Sequence, residues 1–340
     1  MRLTGFTRAS SLGPIANFME RQGGSITRVF SGIDLPLAIL DEPEIVIPLR
    51  DQFRLLERAA VETGDACFGA RLGQEVRMKE LSTFGAWVCS ADTLLKAIER
   101  AHAGLNVMLQ TSTNLTLERR GASVRWAIEF LEPETEGRHH NELLGVSYMI
   151  DTVRTYAGKR WHPEVVMTTR PARAPRTSLE ELFNTNISNG HALTAIEFDF
   201  ALLNCVEWRN SPEREVKGAC DGPMVPQEDD MLGAAAAVAD LALYDGYPRI
   251  DWVAAKLGMN RRSLQRQLAR RGKTFRHLID DRLHLRAQMM LQVRSVTITE
   301  VAVQLGYCDL AHFTRAFRRW TGVSPSAYRR AKLTSDAPMN

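Results

Sequence analysis

Residues 299–330, TEVAVQLGYCDLAHFTRAFRRWTGVSPSAYRR, decide how the C-terminal third is read. Their apolar positions form two short helical blocks separated by Leu305-Gly306, and glycine most readily takes the left-handed backbone that a sharp helix exit needs. Thr297 and Glu300 have the spacing of a capping box, so the first block has a defined start. Phe313 and Phe317 lie on one side of the second block, with Trp320 close behind. The same pattern occurs upstream. Asp251-Trp-Val-Ala-Ala-Lys-Leu257-Gly258 is followed by Met259, the helix-capping Asn260, and a block with Leu264 and Leu268 on one side. Each unit reads helix, glycine turn, helix.

With those leucines and phenylalanines turned inward, Arg262, Gln265, Arg266 and Ala269 share a different stripe, spaced i, i+3, i+4, i+7. In the second unit the equivalent stripe is Ala311, Thr314, Arg315 and Arg318. Arginine offers a fork to guanine O6 and N7, glutamine pairs with adenine, and alanine or threonine meets a thymine methyl. Arg261, Arg270, Arg271, Lys273 and Arg319 flank these stripes and suit phosphates, which position a protein without reading sequence. Between the units, residues 275–291 carry an apolar face of Phe275, Leu278, Ile279, Leu283, Ala287, Met290 and Leu291, which predicts a long connecting helix.

Residues 233–330 resemble the tandem helix-turn-helix domain of the AraC/XylS family of transcriptional regulators. The resemblance is carried by Leu-Gly-Met-Asn-x-x-Ser-Leu-Gln-Arg-Gln-Leu (257–268) and by Leu-Gly-Tyr-x-x-x-Ala-His-Phe-Thr-Arg-Ala-Phe-Arg-Arg-Trp-Thr-Gly-Val-Ser-Pro-Ser-Ala-Tyr-Arg (305–329). Asn260 departs from the family's usual serine, but both residues cap helices. Residues 32–207 resemble the arabinose-binding-domain-like N-terminal domain of one branch of that family. Gly64-Asp65-x-x-Phe68-Gly69-x-Arg71-Leu72-Gly73 and Asn189-Gly190-His191-x-x-x-Ala195-Ile196-Glu197-Phe198 carry this second match. It implies a sensory or dimerising domain and does not imply arabinose.

The rest of the chain fits two domains. At 340 residues, with 44% apolar and 24% charged side chains, it is long enough for two cores and excludes collagen-like or wholly disordered classes. No apolar run approaches the roughly 20 residues that span a bilayer. The first residues lack a sustained apolar segment of the secretory type, and five cysteines without a C-x-x-C pair signal neither a disulfide framework nor a zinc ribbon. A reducing cytoplasm is the expected location. Residues 231–340 hold 18 Lys and Arg against 8 Asp and Glu, a net of +10, whereas residues 1–230 hold 25 against 32, a net of −7. A basic module attached to an acidic one points to a polyanionic partner at the C-terminal end.

Residues 213–230, EREVKGACDGPMVPQEDD, are rich in charge, glycine and proline and read as linker. The expected organisation is an α+β sensory or dimerising domain at 1–212, a linker at 213–232, and an all-α domain at 233–333 with two helix-turn-helix units joined by a long helix. In the first domain, strands are expected at 114–118 and 124–130 around a turn at 119–122, and at 165–169 and 195–200. Helices are expected at 49–62, 91–108 and 141–157, and further on at 234–244.

Neither a metal nor a cofactor is expected. His139-His140 with Glu142 lacks a third ligand at fixed spacing and reads as exposed imidazoles at a loop or helix start. Cys67 and Cys89 read as buried small side chains. Cys220 falls in the linker and Cys308 in a turn. The leading function is a sequence-specific DNA-binding transcription regulator that is not an enzyme. Its partners would be double-stranded promoter DNA, RNA polymerase, a small-molecule effector and a second copy of the chain. One alternative is an architectural DNA-binding protein, which leaves the Gln and Thr among the arginines unexplained. The other is a DNA-repair methyltransferase, for which a four-cysteine zinc site is missing.

Overall fold

Burial alternates along residues 123–130: Val124, Trp126, Ile128 and Phe130 turn into the core, and Arg125 and Glu129 are only partly covered. That two-residue period makes this segment one strand of a sheet, although Ala127 on its other face is buried as well, in a small cluster with Met167 and Ala195. The computed structural model describes residues 3–133, 135–169, 175–206 and 224–335, and divides into two units, Met1–Asp230 and Met231–Asn340. In the first unit β1 (Phe6–Arg8) and β2 (Val46–Pro48) form a small antiparallel pair. The five-stranded sheet comprises β3 (Thr113–Arg120), β4 (Ser123–Phe130), β5 (Val165–Thr168), β6 (Asn186–Asn189) and β7 (Thr194–Asp199), in the order β3-β4-β7-β5-β6. Only β5 and β6 run parallel, and the helix Arg176–Phe183 lies between them in sequence.

Several elements differ from the sequence expectation. The β3–β4 turn is two residues long, because Arg120 pairs with Ser123 and leaves only Gly121 and Ala122 between the strands. Gly121 has φ +66°, which suits the first central position of a tight hairpin turn. The expected helix 91–108 starts at Leu94 behind its cap Thr93 and ends at Gly104. A single π-helical turn, Leu105–Leu109, follows, closed by Gln110 N donating to Leu105 O at 2.8 Å. β1, β2 and β6 were not expected, since three- and four-residue strands are too short to show a period.

The Arg138–Ala157 helix is the spine of this unit, burying Leu143, Val146, Met149, Ile150 and Val153 in the same core as β4. It also explains the glycine motif at 64–73. Gly64 closes the Leu49–Thr63 helix in the left-handed conformation, and Asp65 ion-pairs with Arg71 at 2.9 Å while accepting from Cys67 N. Phe68 is buried in the interior. A Cβ on Gly69 would stand 2.1 Å from the carbonyl oxygen of His140, and one on Gly73 would stand 2.0 Å from Ser147 Oγ. The Phe68–Gly73 helix thus packs backbone-close on the spine.

In the second unit the connecting helix is Phe275–Gln292, and its Ile279, Leu283, Ala287 and Leu291 meet Val301, Leu305, Phe313 and Phe317 in one cluster. Arg282 forks onto Asp240 of the Met231–Ala242 helix at 2.7 and 2.6 Å. The expected linker lies outside the described residues at 213–223. Within the described part, Val225 is buried on the first unit, and Met231 already begins a helix.

Gly69→Ala is expected to lower stability by about 1–3 kcal/mol, because the new methyl overpacks against a backbone carbonyl that has no rotamer to yield. Urea unfolding should show a lower midpoint at unchanged slope; a wild-type midpoint would mean that the two helices do not meet this closely.

Candidate nucleic-acid interface and effector cavity

The first helix-turn-helix unit consists of Ile250–Lys256 and Arg261–Ala269, the second of Ile298–Gln304 and Leu310–Thr321. Gly258 and Gly306 make the turns at φ +72° and +79°. Leu264, Leu268, Phe313 and Phe317 are fully buried. Their burial sets the rotation of each second helix. Arg261, Arg262, Gln265, Arg266, Ala269 and Arg270 are consequently exposed along the first, and Ala311, Arg315, Arg318 and Arg319 along the second. Thr314 is half-buried.

Two of these arginines have partners within the unit. Arg319 donates to both carboxylate oxygens of Asp280 on the connecting helix at 3.2 and 3.3 Å, and Arg261 lies 3.5 Å from Asp251. Asp280 was not legible as a partner, because the pair closes only when the Leu310–Thr321 helix folds back on Phe275–Gln292.

The two units are capped by different chemistry. Asn260 accepts from Ser263 N at 2.9 Å. In the second unit Thr297 and Glu300 form a complete capping box, and Asp309 accepts from His312 N at 2.7 Å. The hydrogen bond from the Thr297 backbone holds Glu300 below the usual carboxylate range, and that from the His312 backbone does the same for Asp309.

The N-terminal unit contains a cavity of about 80 Å³ between the sheet and the spine helix, with Met78, Phe84, Leu105, Trp126, Gly145 and Met149 in its wall. None of these was singled out by sequence, since they come from segments that only the fold gathers. Gly145, a glycine in the middle of a helix, was the one visible signal. Tyr148 also lines it, and burial pushes its phenol up, so the hydroxyl stays a donor, bonded to Ser11 O at 3.2 Å.

The histidine pair departs from expectation. His140 is buried and His139 half-buried in the first turn of the spine helix, where Glu57, distant in sequence, comes within 3.8 Å and 4.0 Å of their ring nitrogens. Glu142 turns away to Arg138, Thr169 and Thr194. Among the described residues Glu57, His139 and His140 form the group able to offer three metal ligands, with ligand atoms within 4.8 Å of one another. Cys67 and Cys89 are buried and Cys308 is exposed, while Cys220 lies outside the described residues. Among the described residues no helix is long and apolar enough to cross a membrane.

Paired helix-turn-helix units that follow, in sequence, a separate domain with a cavity of its own define a DNA-binding transcription regulator. The arabinose-binding domain of AraC transcription regulators matches residues 23–206, and a helix-turn-helix domain matches residues 253–331. The chain belongs to the AraC family. It is 24% identical over 333 residues to the HTH-type transcriptional regulator VirS of Mycobacterium tuberculosis, covering 97% of this chain and 98% of that one. It is 26% identical over 335 residues to the ornithine utilization regulator of Pseudomonas aeruginosa, covering 93% and 94%. The crystal structure of the transcriptional regulator CdpR from Pseudomonas aeruginosa aligns with a TM-score of 0.36 and 22% identity, over 78% of this chain and 87% of that one.

Acid should loosen the two units unequally. A carboxylate whose folded-state pKa is depressed adds stability above its unfolded value and loses it as pH falls through the folded one. The Glu300 and Asp309 caps therefore fade at acid pH, whereas the amide cap of Asn260 does not titrate. In an NMR titration the amides of Glu300 and His312 should shift before that of Ser263; simultaneous movement of all three would contradict the assignment.

Proposed function

We propose that this regulator reads promoter DNA through two helices, Arg261–Ala269 and Leu310–Thr321, and that a small molecule in its N-terminal unit controls the outcome. The observation that carries this reading is the matched pair of exposed stripes. Arg262, Gln265 and Arg266 on the first helix, with Ala311, Arg315 and Arg318 on the second, stand opposite residues that must be buried. Thr314 belongs to the second stripe. Arg266 and Arg315 occupy the same place in each unit and are assigned to base edges. Arg261, Arg270 and Arg319 are assigned to phosphates, Arg261 and Arg319 after exchanging their carboxylate partners for DNA. Gln and Thr among these arginines favour sequence reading over architectural binding. RNA polymerase and a second copy of the chain complete the proposed partners, and the cytoplasm is the proposed location.

Arg266→Ala and Arg315→Ala should each weaken operator binding by about 1–3 kcal/mol and relax discrimination at different halves of the site. Arg271→Ala serves as the control. If it relaxes specificity more than the other two, the faces are misassigned. Fluorescence anisotropy on operator and scrambled duplexes makes the comparison.

Control by the N-terminal unit is tested by pairing operator binding with in-vitro transcription, for the full chain and for a fragment of residues 231–333. The fragment should bind DNA with an affinity that falls with salt at a log–log slope of about −0.9 per neutralised phosphate. Response to metabolites should belong to the full chain alone. If deleting residues 1–218 leaves both outputs and their response unchanged, the sensory role is refuted.

A further inference from the structure

Among the described residues that line the N-terminal cavity, none carries a charge. Its polar groups are mostly committed within the protein. Gln52 Nε2 donates to Asn141 Oδ1 at 2.7 Å, Ser11 Oγ to Gln52 Oε1 at 2.5 Å, and Gln110 Nε2 to Thr113 Oγ1 at 2.8 Å. An ion entering here would lose its hydration without gaining a counter-charge, and a sugar would leave several hydroxyls unsatisfied. The Asn141 amide, whose oxygen accepts from Gln52, still carries N–H donors.

Gly145 is a second, independent observation. In the helices of this unit glycine stands where a side chain would collide: a Cβ on Gly69, Gly73, Gly85 or Gly104 would meet other atoms at 2.1, 2.0, 1.8 and 2.7 Å. Gly145 is different. A Cβ there would meet Ile128 Cδ1 at 3.5 Å and Phe130 Cζ at 3.8 Å, both ordinary contacts, and its φ is not positive. Neither packing nor backbone geometry calls for glycine at this mid-helix position, where alanine is the better helix former. What glycine does leave is room in the wall of the cavity.

We infer that this cavity takes a neutral, predominantly apolar molecule with one hydrogen-bond acceptor, and that its occupancy is passed to the DNA-binding unit through the π-helical turn Leu105–Leu109. The inference rests on the sensory reading above and gives the effector a chemical class. At about 80 Å³ the cavity is smaller than the apolar cavity of about 150 Å³ that accepts benzene. Binding therefore has to displace part of the wall. Met78 and Met149 are unbranched and yield readily, and Leu105 and Leu109 belong to the turn itself.

That turn is held from its other side by the segment leading to the second unit. Val225 N donates to Val107 O at 3.0 Å and Gln227 Nε2 donates to Asn106 O at 2.8 Å, and three residues past the turn Ser112 Oγ donates to Glu228 Oε1 at 3.1 Å. The Met231–Ala242 helix starts three residues after Glu228. A ligand that pushes Leu105 and Leu109 outward changes the carbonyls to which Val225 and Gln227 bond, so the two occupancy states bind this segment unequally, as control requires.

The test uses the full chain and thermal unfolding. Benzene, benzyl alcohol and hexanol are the neutral probes; benzoate and arabinose are the charged and polyhydroxylated counter-probes. At least one neutral probe should raise Tm with concentration, and benzoate and arabinose should not. Gly145→Leu, which fills the space, should abolish the shift. If that variant does not fold, Gly145→Ala should reduce the shift. On adding the active probe, hydrogen exchange should change in the peptide covering residues 224–230.

Stabilisation by benzoate or arabinose, or no Gly145-dependent shift from any neutral probe, overturns the ligand class and leaves the sensory reading standing. A Gly145-dependent shift with unchanged exchange at 224–230 overturns the coupling route. A probe that binds in this way and changes exchange, yet moves neither operator affinity nor transcription, supports the site while refuting the sensory reading.

Discussion

The burial of two side chains one turn apart, Leu264 with Leu268 and Phe313 with Phe317, is the constraint on which the DNA-binding unit depends. A helix of 9 or 12 residues is marginal in water and survives by packing. Once the apolar pair faces the core, helical geometry leaves the remaining stripes no choice of direction. Arg266 and Arg315 face outward for that reason. The connecting helix then presents Ile279, Leu283, Ala287 and Leu291 in a single row, and the second unit closes on that row.

The N-terminal unit is organised by close backbone approach. Gly69 and Gly73 bring one helix onto the spine helix Arg138–Ala157 at distances no side chain would permit. The same approach seats His140 beside Gly69 N, which donates to its Nδ1 at 3.3 Å, and brings it towards Glu57. The motif that links this domain to its family is thus largely a packing device. Its Asp65–Arg71 pair steadies the turn and does not face the cavity.

The cavity lies where packing is not completed. Around Gly145 the spine helix and the sheet leave a gap that an alanine would narrow without strain. Dense packing elsewhere makes such a gap informative, because interiors otherwise fill to crystal-like density. Its position behind the turn that carries residues 225–228 gives the unit a mechanical reason to respond to filling.

Sequence alone determined the features that are local or periodic. Both glycine turns, the Thr297–Glu300 capping box, the inward apolar pairs and the connecting helix were all legible, since each depends on residues within a few turns of one another. The charge split between the units was legible as well. Tertiary structure decided what depends on residues far apart in the chain. The pairing of Arg319 with Asp280 needed the fold-back of one helix on another, and the approach of Glu57 to His139 and His140 needed two helices far apart in the chain to meet. The short strands β1, β2 and β6 have too few residues to display a period, and exist because partners distant in the chain supply their hydrogen bonds. The cavity is the clearest case, for empty space has no sequence of its own: it is the volume left when side chains from separate elements meet.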